Sequence, residues 1–124
     1  MLSRRQIWWT LGCIWIQVLL VLSFILTPGL ASIPRFDLIA HFIAYLFIST
    51  WLLIPCQNRQ ERLAITASLI SMGWATEILQ PLTPYHIFDW ADGVANTLGT
   101  LIAVWLSQKK PLQKLTQYLD PRRR

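Results

Sequence analysis

Four long apolar segments constrain what this chain can fold into more than any other feature. They cover residues 7–26, 38–54, 63–79 and 90–106. At about 1.5 Å per helical residue, each spans most or all of a hydrocarbon layer about 30 Å thick. Each is followed by a helix breaker, in turn Pro28-Gly29, Pro55, Pro81 and Lys109-Lys110-Pro111. The sequence therefore predicts an all-α fold, an integral membrane bundle of four transmembrane helices.

The composition fits a bilayer environment. The 124 residues are 54% hydrophobic and only 14% charged, whereas soluble domains are about a quarter charged. Seven Trp are typical of membrane interfaces. The length predicts one domain, residues 1–124, and the net charge of +5 does not indicate nucleic acid binding because the basic residues flank the apolar segments.

The distribution of these basic residues predicts the orientation of the helices. Ten lie on one side of the predicted bundle, and Arg35 alone lies on the other. The ten are Arg4, Arg5, Arg59, Arg62, Lys109, Lys110, Lys114, Arg122, Arg123 and Arg124. By the positive-inside rule, both termini lie in the cytoplasm (N-in/C-in). We thus expect a multi-pass protein of the bacterial inner membrane.

Both ends of the chain allow alternatives. The first apolar segment resembles a secretory signal, but it exceeds the usual signal core of about 7–15 residues, and Trp8 and Trp9 resemble a membrane anchor. We expect a retained helix. The basic cytoplasmic tail, residues 107–124, carries three leucines on one helical face (Leu112, Leu115 and Leu119). It is predicted either as a helix on the inner leaflet or as a solvated tail. Cys13 and Cys56 suggest neither a disulfide nor a zinc site.

Polar side chains collect at the predicted outer face, on three of the four helices. On the second helix they share one face, which Ser49 continues inward. An ionisable group within a membrane helix is costly and is therefore a functional candidate. The candidate outer-face polar site comprises Asp37, His41, Tyr45, Glu77, Gln80, His86, Asp89, Asp92 and Asn96.

Some of these residues also have a structural interpretation. Asp89 can cap the fourth helix, and Asp92 resembles the second half of a capping box. Gly93 and Gly99 are predicted to permit close helix packing.

Glu77 is the least easily accommodated residue. It lies in the last turn of its helix, where the macrodipole disfavours an anion, and no basic residue lies within one turn. Its candidate partners at that side are His41, Arg35 and His86. We expect the His41 and Glu77 side chains to approach each other across the second and third helices.

The chemistry of the cluster remains open at this level. His41 beside Asp37 resembles a base held by a carboxylate, and four residues could ligate a divalent metal, namely His41, His86, Glu77 and Asp92. No nucleophile motif or close ligand spacing is present, so the sequence assigns no catalytic residue, metal or cofactor. An ion-coupled transporter would carry ionisable groups near the midplane, where this chain offers Gln17 and a few hydroxyls.

Three stretches resemble the VanZ-like membrane family over residues 36–106. They are Asp37 to Phe42 with Tyr45, then Glu77 to Gln80, and His86 through Asp92 to Asn96 and Gly99. The chain departs from the family pattern at Leu38, where the family has Lys, and at His86, where it has Arg. Both departures remove positive charge. The resemblance implies an envelope role, linked in some members to glycopeptide (teicoplanin-type) resistance.

Because the polar groups enter from one side only, the sequence predicts binding or processing of a headgroup at the outer leaflet. The expected partner is a membrane lipid or a lipid-linked cell-wall precursor, not nucleic acid. The oligomeric state stays open. The alternatives are a structural subunit of a membrane complex, whose polar cluster locks the bundle, an enzyme, and a proton- or ion-coupled transporter.

Overall fold

The computed structural model describes residues 1–25, 35–84 and 86–120. Of these, 84% are helical and none is in a strand, which confirms the all-α prediction. Five helices follow in order: α1 (Arg4–Ile25), α2 (Phe36–Leu53), α3 (Arg59–Leu79), α4 (Trp90–Ser107) and α5 (Lys110–Leu119), with one 3-10 turn at Gln80–Leu82. The Pro28-Gly29 breaker, the signal-like residues 29–31 and the basic residues 122–124 lie outside the described residues.

Local sequence signals explain where the helices begin and end. The Asn58 side chain accepts a hydrogen bond from the Glu61 N–H at 2.8 Å and caps α3. This cap starts α3 four residues before its apolar segment, in a polar turn that hydrophobicity alone does not mark. Pro55 follows the end of α2, and Pro81 converts the end of α3 into the 3-10 turn.

The most extensive helix interface joins α2 and α4. A Cβ at Gly99 would lie 2.6 Å from the Phe42 carbonyl oxygen and 2.9 Å from the Leu46 nitrogen, so the two backbones approach as closely as glycine permits. At Gly93, a Cβ would lie 2.8 Å from the Trp74 ring of α3. Glycines on α4 therefore set its distance from both neighbours.

A pair of tryptophans joins α1 to α2. The rings of Trp8 and Trp51 stack with centroids 4.2 Å apart. Each indole N–H donates to the backbone carbonyl of the other residue, at 2.8 Å from Trp8 and 3.2 Å from Trp51. Trp8 therefore fixes α1 against α2.

Apart from Arg35, the described Lys and Arg residues gather at one end of the bundle, where α1 begins and α2 ends. Arg5 forms an ion pair with Glu61 of α3 at 3.0 Å and donates to the Pro55 carbonyl oxygen. The tail forms α5, a helix that packs against this end: Thr116 donates to the Ile54 carbonyl oxygen at 2.7 Å, and Leu119 is buried. Of the two expectations for the tail, the structure has the helix.

Two helices, α1 and α2, are long and apolar enough to cross a membrane by length and composition. The other two long helices carry the buried polar residues, which lower their hydropathy: Glu77 lies on α3, and Asp92 and Asn96 lie on α4. Each of the four predicted segments lies on a helix, but two of the described helices meet the length and hydropathy expected of a span, so the all-α prediction is confirmed and the four-span bundle is not.

The distribution of polarity in the bundle is the reverse of that in a soluble protein. Large apolar side chains are exposed on the outer surfaces of α1, α2 and α4, for example Val21, Phe47 and Leu101. Polar side chains occupy much of the interior instead: Ser49, Thr76, Glu77, Gln80, Asp92, Asn96, Thr100 and Ser107. Such an arrangement is typical of helices surrounded by lipid.

Candidate functional site

Three helix ends meet at the end of the bundle opposite the basic residues. His41 lies five residues into α2, or about 8 Å along its axis. Glu77 lies two residues before the end of α3, and Asp92 is the third residue of α4. Because α3 runs antiparallel to α2 and α4, its last turn lies beside their first turns.

The His41 imidazole lies between two carboxylates. Its Nδ1 is 3.7 Å from Glu77 Oε1, and its Nε2 is 3.9 Å from Asp92 Oδ2. The expected approach of His41 and Glu77 is confirmed, and Asp92 joins them. Both separations exceed a direct hydrogen bond, so the three groups surround a space that a water or an ion can bridge.

Glu77 and Asn96 are buried without hydrogen-bond partners among the described residues. Glu77 is 0% exposed and Asn96 is 1% exposed, and neither the two carboxylate oxygens nor the amide oxygen and nitrogen are satisfied. The Asn96 side chain lies close enough to Glu77 to act on it as a hydrogen-bond donor, although no pair of their atoms has the distance and angle of a formed hydrogen bond. Burial of such groups costs several kcal/mol unless they find a partner. This pair therefore presents buried hydrogen-bonding groups that the described residues do not satisfy.

The trio formed by His41, Glu77 and Asp92 is only slightly exposed at this end of the bundle. The side chains of His41 and Asp92 are 16% and 12% exposed, whereas that of Glu77 is 0% exposed. A ligand entering from this end would therefore meet His41 and Asp92 before Glu77.

A line of polar side chains extends inward from the trio. Tyr45, one turn below His41, is buried. Ser49 donates to the Thr100 hydroxyl at 3.0 Å, and Thr100 donates to the Asn96 carbonyl oxygen at 3.0 Å. Thr100 was missed in the sequence, although its position four residues after Asn96 puts both on one face of α4.

Four of the predicted site residues do not contact the trio directly. Asp37 is exposed, despite its spacing of four residues from His41. His86 pairs through Nδ1 with the Thr83 hydroxyl at 2.8 Å. Asp89 is exposed and caps α4 by accepting from the Ala91 N–H at 2.8 Å. These side chains satisfy local backbone or solvent needs, which sequence spacing does not distinguish from a shared site.

Gln80 is the fourth, and it binds elsewhere. It is buried, and its side-chain N–H donates to the Ser23 hydroxyl of α1 at 2.8 Å. Gln80 therefore joins the end of α3 to α1. Of the three basic partners considered for Glu77, His41 alone lies within ion-pair distance over residues 1–25, 35–84 and 86–120.

The trio carries excess negative charge when both carboxylates are ionised, whether or not His41 is protonated. Such a site suits a cation, an ammonium group or a set of hydroxyls better than a bare anion.

The cysteine at the opposite end of the bundle is a poor nucleophile. Burial raises the pKa of the Cys56 thiol to about 11, which disfavours the reactive thiolate.

Comparisons with known proteins give one relative to report. No family model matches the chain, and no solved structure matches it. The chain is similar to an uncharacterized protein of Schizosaccharomyces pombe, with 30% identity over 106 residues. The similarity covers 79% of this chain and 65% of the fungal protein, so the chain spans about two thirds of that relative's length.

Proposed function

We propose that this chain is a four-span membrane protein that binds the polar headgroup of an envelope lipid or lipid-linked precursor at its outer face. The observation that carries the proposal is the buried, unsatisfied Glu77 beside His41 and Asp92 at one end of the bundle. Hydrogen-bonding and charged groups that lie near a bilayer surface, and that the fold does not satisfy, are available to a ligand.

The reversed polarity supports a membrane location for all four long helices. The exposed faces of α1 and α2 are apolar over most of their length, and α4 exposes Leu98, Leu101 and Trp105. Exposed apolar surface of this extent would favour aggregation in water and is stable in lipid. Glu77 of α3 and Asp92 and Asn96 of α4, which lower the hydropathy of these helices, face the interior.

Charge asymmetry supports an external location for the site. The described basic residues Arg5 and Arg62 lie at the end of the bundle opposite Glu77, together with Lys109. The positive-inside rule assigns that basic end to the cytoplasm. His41, Glu77 and Asp92 then lie near the outer leaflet, and both termini are cytoplasmic.

The resemblance to VanZ-like proteins supports an envelope ligand, and with it a role in glycopeptide susceptibility in a bacterial inner membrane. The residues that carry the resemblance include all three members of the trio. The relative is a fungal protein, which favours a ligand chemistry common to many membranes, such as a phospholipid headgroup, over one confined to cell-wall precursors.

Lipid retention by the purified chain tests this function. Native mass spectrometry would record binding of added phosphatidylethanolamine, phosphatidylglycerol and undecaprenyl phosphate to the full chain in detergent, with a chelator present and then with Zn²⁺. We expect at least one lipid to bind the wild type at least about tenfold more tightly than it binds His41→Gln or Glu77→Gln. This corresponds to a difference of about 1.4 kcal/mol in binding free energy.

The matched control is Glu61→Gln, which removes another carboxylate of α3 at the opposite end. It is expected to bind as the wild type does. Equal binding of every lipid by the wild type, Glu77→Gln and Glu61→Gln would contradict a headgroup site at the trio.

Burial also favours a second candidate, a structural role in which the polar cluster locks the helices of a membrane complex. The complete burial of Glu77 and Asn96 is the specific observation in its favour. A lock, however, requires satisfied hydrogen bonds, because an unsatisfied buried group destabilises the fold. The unpartnered atoms of both residues therefore favour the binding role.

A further inference from the structure

We propose that His41, Glu77 and Asp92 bind a divalent first-row transition cation, for which Zn²⁺ and Mn²⁺ fit best. Binding of the cation does not depend on the proposed function. Only its contact with a lipid headgroup rests on that proposal. Each residue offers one ligand atom, and these atoms all lie within 4.8 Å of one another.

The spacing is near that of a bound set. Ligands at about 2.1 Å from Zn²⁺ in tetrahedral geometry lie about 3.4 Å apart. The three side chains would therefore need to close by up to about 1.4 Å to reach the same geometry. Rotations about the His41 and Asp92 side chains, which are both at the partly exposed edge of the site, can supply such a movement.

Charge balance favours the cation. Two ionised carboxylates and a neutral imidazole carry a charge of −2, which a divalent cation cancels. Protonation of His41 alone would leave a net charge of −1 in a largely buried site. Since an uncompensated buried charge is strongly unfavourable, a divalent cation would remove the cost of holding both carboxylates ionised in this site.

A second, independent observation points into the same space. Asn96 belongs neither to the acidic pair nor to the histidine, yet it is 1% exposed, next to Glu77, and has no hydrogen-bond partner among the described residues. Its amide oxygen can ligate a hard cation, or its N–H can donate to a ligating carboxylate. A cation at the trio would thus satisfy the unpartnered oxygens of Glu77 and give Asn96 a role.

The arrangement of the imidazole also suits a metal site. A ligating histidine ordinarily donates its other ring N–H to a carboxylate or a carbonyl. A carboxylate lies near each nitrogen of His41. One nitrogen can ligate while the other remains oriented by the opposite carboxylate. The mixture of one imidazole with oxygen ligands favours Zn²⁺ or Mn²⁺ over Ca²⁺ and over thiophilic Cu⁺.

The cation would supply positive charge at an end of the bundle where the sequence places a single Lys or Arg residue, Arg35. At Leu38 and His86 the sequence has no fixed cation, and the described ion pairs at this end involve only His41. A headgroup phosphate could then bind through the metal instead of through Lys or Arg.

Metal titration of the purified full chain tests the inference without any lipid. After removal of metal by a chelator, Zn²⁺ binding is measured by competition with a chromophoric chelator, and Mn²⁺ binding by electron paramagnetic resonance. We expect one cation per chain, at least about 100-fold weaker binding in Glu77→Gln and Asp92→Asn, and about tenfold weaker binding in Asn96→Ala, because groups that hydrogen-bond to metal ligands typically account for about 10- to 100-fold in metal affinity. Glu61→Gln should bind as the wild type does.

Thermal unfolding of the same samples separates a lost site from a lost fold. Cation should raise the unfolding temperature of the wild type and Glu61→Gln but not of Glu77→Gln or Asp92→Asn. Equal uptake by the wild type and the Asp92→Asn variant, or no uptake by the wild type, would overturn the metal site. Lipid binding that persists in chelator, without cation uptake, would support the proposed function and contradict the metal site. Cation binding without lipid binding would support the metal site and contradict the proposed function.

Discussion

Burial of Glu77 carries a large free-energy cost. This residue is fully buried, its oxygens have no hydrogen-bond partner among the described residues, and it lies in the last turn of α3, where the helix dipole disfavours an anion. A residue that contributed only to stability would not be expected in this environment, because an apolar side chain of similar size would pack there more favourably. Glu77 is therefore better explained by what it binds.

Replacement of Glu77 by methionine should separate stability from function. We expect Glu77→Met to leave the free energy of unfolding in chelator unchanged or raised, because it replaces a buried acid without a hydrogen-bond partner among the described residues by an apolar side chain of similar size, while lipid and metal binding are lost. Unfolding in detergent, followed by circular dichroism, measures the change. A loss of more than about 1 kcal/mol would instead support the structural interpretation.

At the scale of the helices, the close contact of α2 and α4 places His41 next to Asp92. This contact depends on Gly99, whose missing side chain leaves room for the backbone at Phe42 and Leu46. Because helix backbones cannot move aside as easily as a side chain can rotate, the interface tolerates little added volume. The geometry of the site is thus set one to two turns away from its ligating groups.

Alanine at Gly99 should destabilise the bundle. In most helices a Gly-to-Ala change is favourable by about 0.5–1 kcal/mol, but here the added Cβ meets backbone atoms at 2.6 and 2.9 Å. We expect Gly99→Ala to cost about 1–3 kcal/mol, as overpacking does, measured as the free energy of unfolding.

The matched control is Gly12→Ala on α1, whose Cβ would meet side-chain atoms only, the Leu52 Cδ2 at 2.6 Å and the Trp51 ring at 3.2 Å. Side chains shift more easily than a helix backbone, so the cost should be smaller than that of Gly99→Ala. Equal losses in the two variants would argue that the α2–α4 approach is not limited by backbone contact at Gly99.

At the scale of the whole molecule, the bundle has two chemically different ends. One end has the Arg5–Glu61 ion pair, the α5 helix and the described lysines. The other has the His41, Glu77 and Asp92 trio. Between them the exposed surface is largely apolar. This polarity makes orientation in the membrane a testable consequence of the fold.

Reporter fusions should place the two ends on opposite sides of the membrane. A fusion after Arg124 is expected to read as cytoplasmic, and an insertion between Pro81 and Pro84 as external, because ten of the eleven Lys and Arg residues favour one side. Paired fluorescent and phosphatase reporters measure both positions. A cytoplasmic reading for the inserted reporter would reverse the orientation and move the site to the inner leaflet.

The helices were largely predictable from sequence, and the membership of the site only in part. Apolar periodicity and breakers locate helices to within a few residues, since both act locally. The meeting of His41 with Glu77 followed from the cost of leaving Glu77 alone. The partners of Gln80 and His86 did not, because hydrogen bonds to Ser23 and Thr83 depend on side-chain directions that only the packed structure defines.

The central claim, that the trio serves function more than stability, is tested most directly by measuring membrane abundance and envelope phenotype on the same cultures. An interhelical hydrogen bond contributes about 0.6 kcal/mol on average, whereas loss of a functional donor can cost on the order of 3–4 kcal/mol. We predict that His41→Gln and Glu77→Gln keep near-normal abundance, like Glu61→Gln, yet abolish altered glycopeptide susceptibility in a sensitive host. Parallel losses of abundance and phenotype, or full activity in both variants, would contradict the account.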